Sequence, residues 1–511
     1  MKRRSTTTLL LTFVLIVIML SPCALVAKED GNGYYSKGIE LAAEKEFTEA
    51  KVQFKSALRA NKHLREAHLS LGILSDISEG KLSEDGAFHI FRGLSYIDMG
   101  VTGEAAREYS FTTQSDPGYA TAYWLRAEAR LAEGKIDKAA TDLEKAIELD
   151  PTNLRAIYNR GLVFSTIGAR EDAIKDFTTV IKNDDGAFEA YFERGVIYHQ
   201  RGMLKSATMD YSKAIKINPK FAAAFNNLGL VYYDQGDIKK AIASFKTALK
   251  INPTAPKAYN NRANAYVTLE LMDEAVADYS KALELDPWFI DAYFNRGSVY
   301  YSLSMYEYAL SDFSMVLKID TRDATAYNNR GLARYHLSEF DKAINDFTMA
   351  IKYEPDAWAV YYNRGNAYYQ FSKPGEALAD YQKAVELKPD YTAAFFAAGV
   401  VHYDMEDYEK AVAALTRAIE LDPGFYIAVF KRGAAYSMMD QTESAIWDFT
   451  KAIELDPKSG AAYDNRGFLY LINAGEKKLG CRDMMRACKL GKCDNFNIAK
   501  KKNLCEGIEI E

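Results

Sequence analysis

The chain has 511 residues, 48% of them hydrophobic and 26% charged, a balance that supports a substantial core and excludes extended disorder. Its formal charge is -6, and setting aside residues 1–27, which hold Lys2, Arg3 and Arg4 and no acid, lowers it by three to -9. That acidity argues against nucleic acid or an anionic membrane surface as the main partner.

In chain order, the first element is a leader. Three basic residues precede an apolar run from Leu9 to Leu20, and small residues then lead to the charged Lys28. Residues 1–27 read as an export signal cut after Ala27, which places the folded part outside the cytoplasm, in a periplasm or at an outer membrane. Leu25 stands three residues before the cut, where a small residue is usual, so the cut site stays open. Two other readings stand beside it. One is an uncleaved anchor, since no charge interrupts Leu9 to Ala27. The other is a lipid on Cys23, because Leu20-Ser21-Pro22-Cys23 resembles a bacterial lipobox, with Pro22 where that motif carries Gly or Ala.

Residues 28–85 hold one helical unit, over about 31 to 64 with Gly38 and Phe54, followed by an irregular stretch. Gly72 lies 34 residues after Gly38, but the next glycine of the series, Gly93, follows after only 21, so a kink or a missing helix is expected near Ser78 to Asp85. From residue 86 to 475 the pattern is continuous. Gly or Ala recurs every 34 residues from Gly93 to Gly467, and Ala follows 12 residues later, from Ala105 to Ala445. A bulky residue such as Phe313, Phe347 or Tyr381 stands four beyond that, and Pro closes most units, as at Pro287 and Pro355. Each unit reads as two antiparallel amphipathic helices joined by a short polar turn such as Leu337 to Asp341. Glycine inside a helix costs about 1 kcal/mol relative to alanine, so its recurrence at one position implies close helix packing there. Residues 476–511 form the last helix and a cysteine-rich cap, with Gly480 one residue out of step in the alanine's place.

The Gly, Ala, aromatic and Pro positions at this period resemble the tetratricopeptide repeat. The resemblance covers residues 86 to about 494 as consecutive units, with an earlier unit before the break, about 13 repeats in all. It implies an all-α fold: a right-handed superhelical solenoid of stacked antiparallel helix pairs with a concave groove.

Within the repeats, an Arg and an acid 16 residues later occur together. The pairs include Arg160 with Asp176, Arg194 with Asp210, Arg262 with Asp278, Arg296 with Asp312, Arg330 with Asp346, and Arg364 with Asp380. Where Leu228 and Ala398 replace the Arg, Ser244 and Ala414 replace the acid. Joint loss is expected of a partly buried ion pair bridging the two helices of a hairpin, because one partner left alone would cost roughly 3–5 kcal/mol. The residue before the Arg does not follow this rule. Asn stands there at Asn159, Asn227, Asn261, Asn295, Asn329 and Asn363, including the unit with Leu228. In tetratricopeptide proteins this position faces the groove, and the row resembles amide ladders that grip the backbone of an extended peptide; an amide can both donate and accept. The alternative is a solvated Asn bonding within its own helix pair. Asn260, Asn328 and Tyr362 one residue earlier, and Tyr301 and Tyr335 a helical turn onward, extend the expected groove. Packing of these rings between adjacent helices is the competing account. The paired lysines with which some relatives clamp a carboxylate are missing, Lys257 being the only lysine at the groove positions of the central units.

All four cysteines beyond the leader lie in the last 31 residues, at spacings of 7, 5 and 12, which do not match paired zinc ligands. If Gly480 to Leu490 is helical and Phe496 to Asn503 folds back on it, Cys481 meets Cys505, and Cys488 and Cys493 close the turn. Two disulfides would then staple the open end of the stack. The six histidines are scattered, and no catalytic, phosphate-binding or metal motif stands among the repeats. The expected function is a noncatalytic scaffold of a bacterial cell envelope, without cofactor or metal. It would bind extended segments of other envelope proteins in its groove and touch the membrane only through an N-terminal anchor or lipid. Two alternatives remain: a scaffold subunit of a polysaccharide-secretion or pilus assembly machine, and an enzyme acting on glycans with a site built on the solenoid.

Overall fold

A computed structural model describes residues 31–505; the leader expected over residues 1–27 lies outside the described residues. Among the described residues there are 28 α-helices and no strand, and the chain divides into an N-terminal unit ending at Thr254 and a C-terminal unit beginning at Ala255.

From Glu84–Asp98 onward the helices pair in sequence, a first helix of 13 or so residues with a second of 14, as Ala324–His336 pairs with Phe340–Tyr353. The recurrent glycine is the seat of this pairing. A Cβ on Gly331 would lie 2.8 Å from the Phe347 ring, and one on Gly229 would lie 2.6 Å from the Phe245 ring. The bulky residue of the second helix therefore lies flat on the backbone of the first, which a side chain at the glycine would prevent. Phe245, Phe313 and Phe347 are fully buried in consequence. Within each unit, consecutive first helices touch one another and consecutive second helices make no comparable approach. The first helices thus form the inner wall of each stack.

The N-terminal unit opens with α1 (Gly31–Ala42), α2 (Phe47–Ala60), α3 (Arg65–Ser78) and α4 (Glu84–Asp98). Helices α1 and α2 form a hairpin, but α3 has no second helix: residues 79–83 lead directly into α4, whose partner is Thr102–Ser115. α4 packs back on the first hairpin, with the Phe91 ring stacked 5.9 Å from Phe54 and tilted 6.2 Å from Phe47. α3 lies along the inner wall instead. Its Asp76 accepts a 2.8 Å hydrogen bond from the Tyr119 hydroxyl at the start of Ala120–Ala132, and its Arg65 reaches Glu189 of Phe188–Gln200 at 3.7 Å. Ile73 and Leu74 are buried, and one apolar cluster runs from Tyr35 to Val163, whereas later repeats are held by smaller clusters between neighbours.

Candidate functional site

The frame around the candidate groove is built first by the arginines. Arg330 donates from Nε and Nη2 to both carboxylate oxygens of Asp346, at 3.0 and 2.7 Å, across its own hairpin. The same fork joins Arg160 to Asp176 and Arg194 to Asp210 at 2.8 Å, Arg262 to Asp278 at 2.7 Å, Arg296 to Asp312 at 2.8 Å and Arg364 to Asp380 at 2.7 Å. All these carboxylates are buried. Burial pushes the Asp312 carboxyl up, and its hydrogen bonds to Arg296 oppose that rise. The first pair of the series is looser: Arg92 stands 3.5 Å from Glu108, and His89 takes the near position at 2.7 Å.

Several of the arginines, though not Arg160 or Arg262, which have Glu144 and Lys246 at the corresponding position, also do something that sequence reading missed. Nη1 of Arg194, Arg296 and Arg364 donates to Thr178, Ser280 and Thr348, at 2.9, 2.8 and 3.1 Å, on the second helix of the preceding repeat. The guanidinium is further sandwiched between tyrosines of its own helix, as Arg262 is between Tyr259 and Tyr266 at 5.6 and 5.8 Å. The signal was present as a hydroxyl 16 residues before the arginine, at Thr178, Ser280, Ser314, Thr348, Thr416 and Thr450. Where the hydroxyl is present, one side chain locks both the hairpin and the stacking of hairpins, and the arginines belong to the frame.

The amides are arranged differently from a row of open groups. Asn295 donates to Asn260 of the preceding repeat at 3.2 Å, and Asn363 donates to Asn328 at 2.9 Å. Asn328 in turn donates to Asn329 at 3.2 Å. Asn227 reaches the Tyr211 hydroxyl at 3.5 Å, and Asn159 donates to Glu128 at 3.0 Å. Apart from the local bond between Asn328 and Asn329, which the local-bond alternative expected, the bonds run from repeat to repeat, a third arrangement. Asn159 and Asn260 are also buried, 7% exposed each, which removes them from the open wall. Asn227, Asn261, Asn295, Asn329 and Asn363 are half-buried. A primary amide has two N–H donors and two acceptor lone pairs, so one lateral bond leaves it able to bond a ligand.

Among the rings, Tyr362 is wedged between Tyr381 of its own hairpin at 5.8 Å and Tyr391 at the start of the next repeat at 5.2 Å, so it packs the stack rather than offering a face. Tyr301 meets the His336 ring nitrogen at 3.0 Å through its hydroxyl. Tyr335 stands edge-on to His336 and Phe340. Both are half-buried, and burial pushes both phenols up.

In the N-terminal unit, ahead of the half-buried Asn227, the equivalent wall is closed. Leu125, Asn159 and Glu193, at the ladder position of Ala120–Ala132, Leu154–Thr166 and Phe188–Gln200, are 4%, 7% and 5% exposed. One carboxylate oxygen of Glu193 has no hydrogen-bond partner, and burial pushes this carboxyl up to about 8. At the far end, Cys481 is joined to Cys505 and Cys488 to Cys493, with Cα separations of 5.8 and 4.0 Å. They staple the helices Lys477–Lys489 and Asp494–Lys501 over Leu471 and Met484. Among the described residues, no group of His, Cys, Asp and Glu converges as metal ligands would, and no helix is long and apolar enough to cross a membrane.

Family models described as tetratricopeptide repeat match residues 256–289, 324–357, 358–391 and 392–425, and a further repeat model of that family matches 127–168, 195–236 and 229–269. The chain is a tetratricopeptide-repeat protein. Solved structures of the family include a tetratricopeptide repeat protein from Parabacteroides merdae, 22% identical, covering 48% of this chain and 98% of that one with a TM-score of 0.36. The C-terminal part of a repeat-containing protein from Cytophaga hutchinsonii is 19% identical over 47% of this chain and 98% of its own, with a TM-score of 0.42. MamA is 30% identical over 32% of this chain and 94% of its own, with a TM-score of 0.30. No curated protein matches the chain. Tetratricopeptide repeats make scaffolds for protein–protein interaction, and proteins built of them are in general noncatalytic.

Proposed function

We propose that this tetratricopeptide-repeat protein is an exported scaffold of a bacterial cell envelope whose C-terminal unit holds extended segments of other envelope proteins along its inner wall. The observation that carries this reading is the set of half-buried amides Asn261, Asn295, Asn329 and Asn363, one on each of four consecutive inner helices, with Tyr301 and Tyr335 beside them. Packed helices lie about 8–10 Å apart. An extended chain advances about 3.3 Å per residue, so one amide meets roughly every third residue of a bound segment. Backbone bonds of this kind tolerate many sequences, which suits a scaffold. Export is supported by the leader-like residues 1–27 and by the two disulfides of the cap, bonds that persist in oxidising compartments.

The test is a crosslinking pull-down from an envelope fraction with the wild-type chain and with an Asn261→Ala, Asn295→Ala, Asn329→Ala variant. The expected result is loss of the captured proteins with the variant while its thermal unfolding stays close to wild type. The same proteins captured by both would remove the groove from the function.

A further inference from the structure

The inner wall of the C-terminal unit has a notch. Between the first helices Ile290–Ser302 and Ala324–His336, a cavity of about 130 Å³ is lined by Ser298, Tyr301, Phe313, Asn329 and Leu332. Comparison among the repeats explains why it is there. The residue two places after the frame arginine stands over the ring seated on the glycine, and its size and polarity differ among the repeats: Leu94 and Val196 stand with Tyr109 and Tyr211. Leucine stands with phenylalanine at Leu162 and Phe177, Leu230 and Phe245, and Leu332 and Phe347. Asparagine stands with tyrosine at Asn264 and Tyr279 and at Asn366 and Tyr381, where the phenol donates to the amide oxygen at 2.6 and 2.8 Å. The unit with Phe313 has Ser298, and so lacks both the leucine side chain and the phenol with its amide. Ala434 over Phe449 is similarly small, but Phe468 stands on the next first helix where Leu332 stands here.

The polar atoms of the lining are mostly engaged. The Ser298 hydroxyl donates back to the Phe294 carbonyl at 2.8 Å, and the Tyr301 hydroxyl meets His336. The interior is then the face of the Phe313 ring, the Leu332 side chain and the Tyr301 ring, with the Asn329 amide at its edge. A charged side chain would find no counter-charge in it, and an aromatic one exceeds the leucine that the sibling repeats place there.

We propose that this notch accepts one aliphatic side chain of leucine size from a bound extended segment, supplying from the partner the side chain that Ser298 lacks, while Asn329 holds the backbone of that residue. The inference rests on the groove reading above and adds a specificity position to it.

Panning a phage-displayed library of random peptides on the full chain tests it. Peptides enriched on wild type are expected to share leucine, isoleucine or methionine at one position. Replacing that residue with alanine should weaken binding about tenfold or more, the scale of one buried aliphatic side chain. Ser298→Leu, which fills the notch from within, should cause a comparable loss with an unchanged or higher melting temperature, and Ser298→Ala should change affinity by no more than about twofold. Should Ser298→Leu unfold, the alanine-substituted peptides on wild type still decide the question. Peptides without a shared aliphatic residue, or bound equally by folded Ser298→Leu, overturn the notch; if the triple-alanine variant loses them, the groove stands without it. No enriched peptide, or peptides bound equally by the triple-alanine variant, overturns both.

Discussion

The two units use one repeat to build two kinds of inner wall. In the N-terminal unit the ladder position carries Leu125, Asn159 and Glu193, all buried, before the half-buried Asn227 near its end. In the C-terminal unit it carries Asn261, Asn295, Asn329 and Asn363, all half-buried, before Ala397, Lys431 and Asn465. The turns inside the hairpins differ in a parallel way. Gly100, Gly134, Gly168, Gly202 and Gly236 supply positive φ in the N-terminal unit; from Glu270 to Asp440 the same position is filled by non-glycine residues at φ of 56–61°. Left-handed backbone costs a non-glycine residue roughly 1–2 kcal/mol. The lesson is that the period specifies the hairpin, while what a wall is for depends on which residues occupy it and what covers them.

The largest effect should show that the frame is common to both walls. Asp176→Ala in the N-terminal unit and Asp346→Ala in the C-terminal unit should each cost roughly 3–5 kcal/mol in denaturant unfolding, because each leaves a half-buried arginine unpaired. Changing the partner as well, Arg330→Leu with Asp346→Ser, copies the native Leu228 and Ser244 combination and should recover most of the loss. Additive losses in that double variant would break the pairing account.

Next in size is the pH response of the closed wall. The Glu193 carboxyl is held neutral by burial, with a value near 8 against 4.5 in the unfolded chain. Its stabilisation is complete below 4.5 and is lost as pH rises toward 8. At about 1.4 kcal/mol per pH unit, and with water entry reducing the full figure, stability should fall by roughly 2–3 kcal/mol over that window. Glu193→Gln should flatten the profile, while Asn329→Ala in the open wall should leave it unchanged. Smaller again is the turn effect: Ser338→Gly should stabilise by roughly 0.5–1 kcal/mol and Gly134→Ala should destabilise by about as much, both read as thermal unfolding.

The smallest effect separates what holds α3 in place. Arg65 and Glu189 are largely open to water, so Arg65→Ala should cost no more than about 0.5 kcal/mol. Ile73→Ala, which empties a buried site, should cost roughly 2–4 kcal/mol. Equal effects of the two would mean that the ion pair, rather than apolar burial, positions the helix.

Much of this was legible in the residues. Joint loss of arginine and acid pointed to the pairs that the structure places at 2.7–2.8 Å, because both partners lie in one hairpin at a constant spacing. The hydroxyl partners, Thr178 to Thr450, kept the same 34-residue beat with interruptions at Lys246 and Gln382, but belong to the preceding repeat, where a hairpin-by-hairpin reading does not look. The lateral bonds from Asn295 to Asn260 and from Asn363 to Asn328 escaped for the same reason, since each spans 35 residues. The notch was visible as a serine where most repeats carry a larger side chain, but its meaning required knowing that Phe313 lies beneath it.

The order of the residues by itself determined the helical hairpins, their number and the glycine seats on which they pair, because each depends on contacts within 34 residues or between immediate neighbours. Only the tertiary structure decided which wall stays open. α3 is placed by bonds from Asp76 to Tyr119 and from Arg65 to Glu189, 43 and 124 residues away, and by the burial of Ile73 and Leu74. Periodicity tells which face of a helix is apolar; what comes to lie against that face is settled by packing between segments that share no local register.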